Sequence, residues 1–141
     1  MKIAIINGPN LNLIGVREKN IYGDQSMDQC LQALISKYPQ VQFSFFQSNI
    51  EGELINELQQ KGFEYDGIVL NPGGYTHTSV AIGDAVAAIP ACVIEVHISN
   101  IMGREEFRKI SHVSSKVQGV ISGLGLLGYD LAVQYIISRL P

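Results

Sequence analysis

Apolar residues are spaced in two alternating ways along this chain. Short unbroken runs of strand length stand at 2–7 (KIAIIN), 41–46 (VQFSFF), 66–71 (DGIVLN), 91–97 (ACVIEVH) and 117–122 (VQGVIS). Between them, apolar residues recur every three or four positions, the period of a helix with one buried face. The first helical stretch opens at Ser26-Met27-Asp28-Gln29, a capping-box pattern. It carries Met27, Leu31, Leu34, Ile35 and Tyr38 before Pro39 stops it. The second follows Ile50, Leu54, Ile55 and Leu58, with Lys61-Gly62 expected as its stop. A third, rich in small residues, covers 78–88 and ends near Pro90, and a last amphipathic helix covers 126–140.

Five strand-then-helix units with continuously apolar strands predict a parallel sheet covered on both faces. Right-handed connections and this chain length suit an α/β, flavodoxin-like, doubly wound five-stranded sheet of order 2-1-3-4-5, as one catalytic domain over 1–141. Two connections, 8–25 and 98–116, are long for so small a domain, and long loops in a compact domain are usually functional or disordered.

Composition narrows the partners. A chain of 141 residues with 46% hydrophobic and 16% charged residues supports one packed core. A net charge of −3 gives no case for nucleic acid or an acidic membrane. A small anionic substrate would therefore need a local cluster of donors. No apolar run is long enough to span a membrane. MKIAIIN runs directly into Gly8-Pro9, which leaves no room for a signal-peptide core, so a cytoplasmic location is expected. Cys30 and Cys92 lack metal spacing and read as reduced thiols.

Ligands of open α/β sheets bind beyond the carboxyl ends of the strands. Polar residues gather there: Asn7 then Asn10 and Asn12; Asn71 before Pro72-Gly73-Gly74; Glu95 and His97 before Ile98, Ser99 and Asn100. Glu95 and His97 are two apart on a strand and share a face. Such a pair is either an oriented acid–base imidazole or a histidine salt-bridged at the edge of the core. His77 stands at a helix start, as a site residue or a neighbour of the cap, and Thr76, Thr78 and Ser79 read as caps. Arg104 and Arg108, four apart, are expected on one helix face, with Glu105 and Glu106 as partners. His112 reads as surface. Three histidines with no helical pair make a poor metal site, so no metal is expected. Gly8-Pro9-Asn10 lacks the spacing of a phosphate loop.

Four segments, "NGPNLNLIGVRE…IYG", "NPGGYTHTSVAIGDA", "EVHISNI" and "REEFR", resemble the type II 3-dehydroquinate dehydratases in order and spacing, over nearly the whole chain. The resemblance implies a hydro-lyase of the shikimate pathway that turns 3-dehydroquinate into 3-dehydroshikimate by anti elimination through an enolate. It implies no cofactor, metal or Schiff base, and trimers assembled into a dodecamer. It assigns Tyr22 as the base, Arg17 as the group that keeps Tyr22 ionised, and Asn10 as the holder of a water at the enolate. His97 becomes the acid, oriented by Glu95. Asn71, Ile98 and Ser99 bind substrate, His77 and Arg108 contact ring hydroxyls, Asp84 reaches a neighbouring subunit's site, and Arg104 supports the loop. Met102-Gly103 and the stretch FRKISHVS depart from the family's usual wording, and the family often carries Ala at Gly74 and bulkier residues near Gly83. The alternative on the same fold is a flavin- or nucleotide-binding module, which leaves Arg17, Tyr22, Glu95 and His97 without a use.

Overall fold

The computed structural model describes residues 1–16 and 25–141. Its five strands are β1 (Lys2–Asn7), β2 (Gln42–Gln47), β3 (Gly67–Asn71), β4 (Cys92–His97) and β5 (Gly119–Ser122). They form one sheet of order β2-β1-β3-β4-β5, parallel in every pairing. Among the described residues four helices cover it: α1 (Met27–Lys37), α2 (Glu51–Glu64), α3 (Val80–Ala88) and α4 (Leu127–Arg139).

Alternate strand residues feed two cores. Ile3, Ile5, Val69, Ile94 and Val96 pack with Leu34 of α1 and with Tyr129, Val133 and Ile136 of α4. Ala4, Ile6, Ile68, Leu70 and Val93 pack with Leu54 and Leu58 of α2 and Ile82 of α3. Each fully buried aliphatic side chain of this kind contributes roughly 1.5–3 kcal/mol. With both faces covered, β1, β3 and β4 read as unbroken apolar runs rather than as alternations.

Local signals set most boundaries. Ser26 closes a complete capping box with Gln29 at the start of α1. Four expectations need correction. Lys61-Gly62 does not end α2, which runs on to Glu64. Gly62 is there because a β-carbon would lie 2.5 Å from the Cβ of Ile89, so its smallness lets the residues after α3 pack against α2. The third helix starts only at Val80, capped by Ser79, and residues Gly73–His77 form a separate 3-10 turn. Thr76 lies fully buried inside that turn rather than capping. Arg104 and Arg108 do not share a helix. The connection 98–116 is built of 3-10 turns at Ile101–Gly103, Glu106–Lys109 and Ser114–Lys116, and Arg104 sits in extended backbone between the first two. The remaining strand and helix boundaries agree with the sequence pattern to within about two residues.

Candidate active site

The carboxyl ends of β1, β3 and β4 open onto a pocket of about 290 Å³. The loops after β1 and β3 interlock to form one wall. The Gly8 N–H donates to the Asn71 carbonyl at 2.7 Å. A β-carbon on Gly8 would fall 2.4 Å from the Pro72 carbonyl oxygen, so only glycine lets the two backbones meet. Gly73 turns with φ +60, in the left-handed region that glycine tolerates. Asn10 also adopts positive φ (71°), held by a hydrogen bond from its N–H to Asn49 Oδ1 at 3.0 Å. Gly8-Pro9-Asn10 is therefore a close-packed corner rather than a phosphate loop.

The end of β4 carries a buried titratable pair at the same pocket. His97 and Glu95 are both buried, and His97 Nε2 lies 2.5 Å from Glu95 Oε1. A carboxylate accepts only, so Nε2 carries the proton and Nδ1 is the nitrogen left for chemistry. The other carboxylate oxygen is also occupied: the Ser114 hydroxyl donates to Glu95 Oε2 at 2.8 Å. Ser111 Oγ accepts from the N–H groups of Val113 and Ser114 and lies 2.8 Å from Ser114 Oγ. With its lone pairs engaged, Ser111 donates to Ser114. The long connection thus feeds a one-way chain of hydrogen bonds through Glu95 into His97.

His77 stacks on His97 with ring centroids 6.5 Å apart and meets Phe107 edge-on at 6.1 Å. Its Nδ1 is 2.7 Å from the Ile110 carbonyl, so Nδ1 bears the proton there. Burial lowers His77 below the ordinary histidine value. The Ile110 carbonyl pulls the other way, while Arg108 and His97 add to the lowering. His77 is accordingly neutral at pH 7, with Nε2 an acceptor.

The donor cluster that an anionic substrate needs is present. Arg104 and Arg108 both line the pocket, although from separate turns. Arg104 Nη1 donates to Ser99 Oγ at 3.2 Å, and Arg108 Nε lies 2.5 Å from Glu105 Oε2. Glu105 is also 3.9 Å from Arg104 Nε, so one exposed carboxylate offsets part of the charge of both guanidiniums.

Of the residues expected at the site, Asn10, Asn71, His77, His97, Ile98, Ser99, Arg104 and Arg108 line this pocket. Glu95 stands behind His97 with no exposed surface. Asp84 is exposed on α3 and does not line the pocket. Arg17 and Tyr22 lie outside the described residues. Sequence reading missed Ser111, Ser114 and Tyr129; serines in a polar loop and a tyrosine in an apolar helix stripe carry no signal of their own. His112, read as surface, is half-buried, and its N–H donates to the Thr76 carbonyl at 2.9 Å. Among the described residues no group of three or more His, Cys, Asp or Glu is placed to hold a metal ion, and no helix is long and apolar enough to cross a membrane.

Sheet order, pocket position and a carboxylate-backed histidine define a doubly wound α/β protein with a buried Glu–His pair in a pocket at the carboxyl edge of its sheet. The chain belongs to the class II dehydroquinase family, whose model matches residues 1–137. It is 55% identical to a 3-dehydroquinate dehydratase of Fusobacterium nucleatum, with 97% of each chain covered. A 3-dehydroquinate dehydratase of an Exiguobacterium species is 49% identical, covering 99% of this chain and 96% of that relative. The crystal structure of a type II dehydroquinase from Butyrivibrio crossotus superposes with a TM-score of 0.93 at 46% identity, over 97% of both chains. The flavin- or nucleotide-binding alternative is set aside on this family membership.

Proposed function

We propose that this protein dehydrates 3-dehydroquinate to 3-dehydroshikimate, a step of the shikimate route to aromatic amino acids, by anti elimination of water through an enolate. The observation that carries the reading is the buried Glu95–His97 pair at a pocket that also gathers Asn10, Asn71, Ser99 and two arginines. Elimination from a β-hydroxy ketone needs a base at the carbon beside the ketone, stabilisation of the enolate and a proton for the departing hydroxyl.

Tyr22 is the base. A free tyrosine has a pKa near 10, so about one in a thousand is ionised at neutral pH. Arg17 beside it favours the phenolate, and each pKa unit gained is about 1.4 kcal/mol of differential interaction. Asn10, with a bound water, stabilises the enolate. His97 donates from Nδ1 to the leaving hydroxyl. Glu95 keeps Nε2 protonated and stabilises the imidazolium before transfer. Asn71, Ile98 and Ser99 hold the substrate, with Ser99 and the Ile98 backbone at its carboxylate, and His77 and Arg108 contact the ring hydroxyls. Arg104, bonded to Ser99, supports the connection around them. Base and acid arise from different segments, which suits attack on opposite faces of the ring. No lysine is assigned to the ketone, so no imine forms, and no metal or cofactor takes part. The working assembly is a dodecamer built from trimers, in the cytoplasm.

Addition of 3-dehydroquinate should produce the ultraviolet absorbance of a conjugated enone. Tyr22→Phe should abolish it while the fold persists, and His97→Ala should stop dehydration more severely than it stops exchange of the substrate's acidic proton with solvent. Borohydride with substrate present should leave the enzyme active and unlabelled. Dehydration at the wild-type rate by either variant, or a reduced adduct on any lysine, would overturn the mechanism.

A further inference from the structure

Tyr129 is fully buried on α4, yet its hydroxyl reaches two side chains at the pocket end of the sheet. The hydroxyl lies 2.7 Å from Asn7 Oδ1 and 3.0 Å from Asn71 Nδ2. Asn7 and Asn71 are themselves register partners at the last positions of β1 and β3, and both are buried. Tyr129 belongs to the same core as Ile3, Ile5, Val69 and Val96; a hydroxyl buried there is costly unless it is bonded, and a phenylalanine would carry no such cost.

The direction of every bond in this group is determined. The Gly73 N–H donates to Asn71 Oδ1 at 3.1 Å, which fixes the amide with its oxygen toward Gly73 and its nitrogen toward Tyr129. The flipped amide would set two N–H groups against each other. Asn71 Nδ2 therefore donates to the Tyr129 oxygen, and the Tyr129 proton goes to Asn7 Oδ1. Burial pushes the Tyr129 hydroxyl's pKa far above the usual phenol value, so the proton stays available for that bond. The chain runs from the turn after β3, through Asn71 and across to α4, and back to the residue from which the β1 loop departs.

We propose that Tyr129 is a positioning residue: its hydroxyl locks the Asn71 amide in the one orientation that presents it to the substrate, and ties the β1 loop to the same point. Asn71 lines the pocket and Tyr129 does not, so Tyr129 acts through Asn71. This rests on the assignment of Asn71 to substrate binding. An interaction made equally with substrate and transition state moves KM rather than kcat.

The test is Tyr129→Phe, alone and combined with Asn71→Ala. The single variant should raise KM for 3-dehydroquinate about tenfold, the weight of one buried hydrogen bond left unmade, with kcat changed less than about threefold. The double variant should show the KM of Asn71→Ala alone, because the two act as one unit. The crystal structure of Tyr129→Phe should show the Asn71 amide turned or displaced. A lowered melting temperature with unchanged KM and an unmoved Asn71 would make Tyr129 a packing residue only, and additive effects in the double variant would equally overturn the proposal. The position of Asn71 in the variant crystal is read without activity. A failure of the wild-type protein to dehydrate 3-dehydroquinate would sink the functional reading and leave the positioning role to be decided there.

Discussion

Two glycines inside helices show how far a single residue's role depends on what surrounds it. Gly52, in the first turn of α2, has nothing within 4 Å of where a β-carbon would stand. Gly52→Ala should raise stability by about 0.5–1 kcal/mol, because alanine loses less backbone entropy on folding and meets no neighbour. Gly83, in α3, is the opposite case. A β-carbon there would lie 2.2 Å from the His112 carbonyl oxygen. Gly83→Ala should cost about 1–3 kcal/mol, since backbone must move to admit it. Urea denaturation of both variants checks the pair, and a loss for Gly52→Ala or a gain for Gly83→Ala would contradict it. The same contrast bounds what could be read from the sequence. Glu95 and His97 were legible because strand spacing puts them on one face. Ser114 and Tyr129 were not, since their partners are 19 and 58 or more residues away and nothing local marks them.

At the scale of elements, the strands were the most legible part, because burial on both sheet faces leaves an unbroken apolar run. Helix ends were less so. The pattern of Lys61-Gly62 looks like a stop, but the glycine answers to Ile89 across the fold, and tertiary packing overrides the local signal. A tie between α1 and α4 was also invisible: Lys37 Nζ and the Tyr38 hydroxyl each lie 2.5 Å from an oxygen of Asp130. Burial works against the Asp130 charge, but the hydrogen bonds from Lys37 and Tyr38 outweigh it and hold the carboxyl below its usual range. The unfolded chain therefore takes up this proton more readily than the folded one. The stabilisation is complete above the ordinary aspartate pKa of about 3.9 and is lost as pH falls from there through the lower folded value. Asp130→Asn should be less stable than wild type at pH 6 and should lose less stability between about pH 5 and pH 2. Lys37 is half exposed, so the effect should shrink in high salt. Acid titrations of the melting temperature that run parallel for the two proteins would remove Asp130 from the acid transition.

At the scale of the whole molecule, one assigned residue stands apart from its pocket. Asp84 is exposed on α3, on the side of the helix away from Ile82 and Val86, which enter the core. Ala85 belongs to that core, so the exposed small residues around Asp84 are Ala81, Ala87 and Ala88. Small side chains let another chain approach closely, and an exposed carboxylate there can enter a neighbour's site while remaining outside its own. Closed trimers would then be needed for full activity. Asp84→Ala should weaken substrate binding without unfolding the chain, which a raised KM with an unchanged melting temperature would display. Mixing subunits makes the sharper test. Asp84→Ala and Tyr22→Phe chains, each nearly inactive alone, are unfolded together and refolded, and hybrids are verified by mass. Some sites would then combine an intact Tyr22 from one chain with an intact Asp84 from another, and activity should rise above that of either parent. A single-subunit site gives no such recovery, because every chain in the hybrid carries one of the two defects. Hybrids of correct mass that stay as inactive as their parents would return Asp84 to its own subunit or to plain solvent.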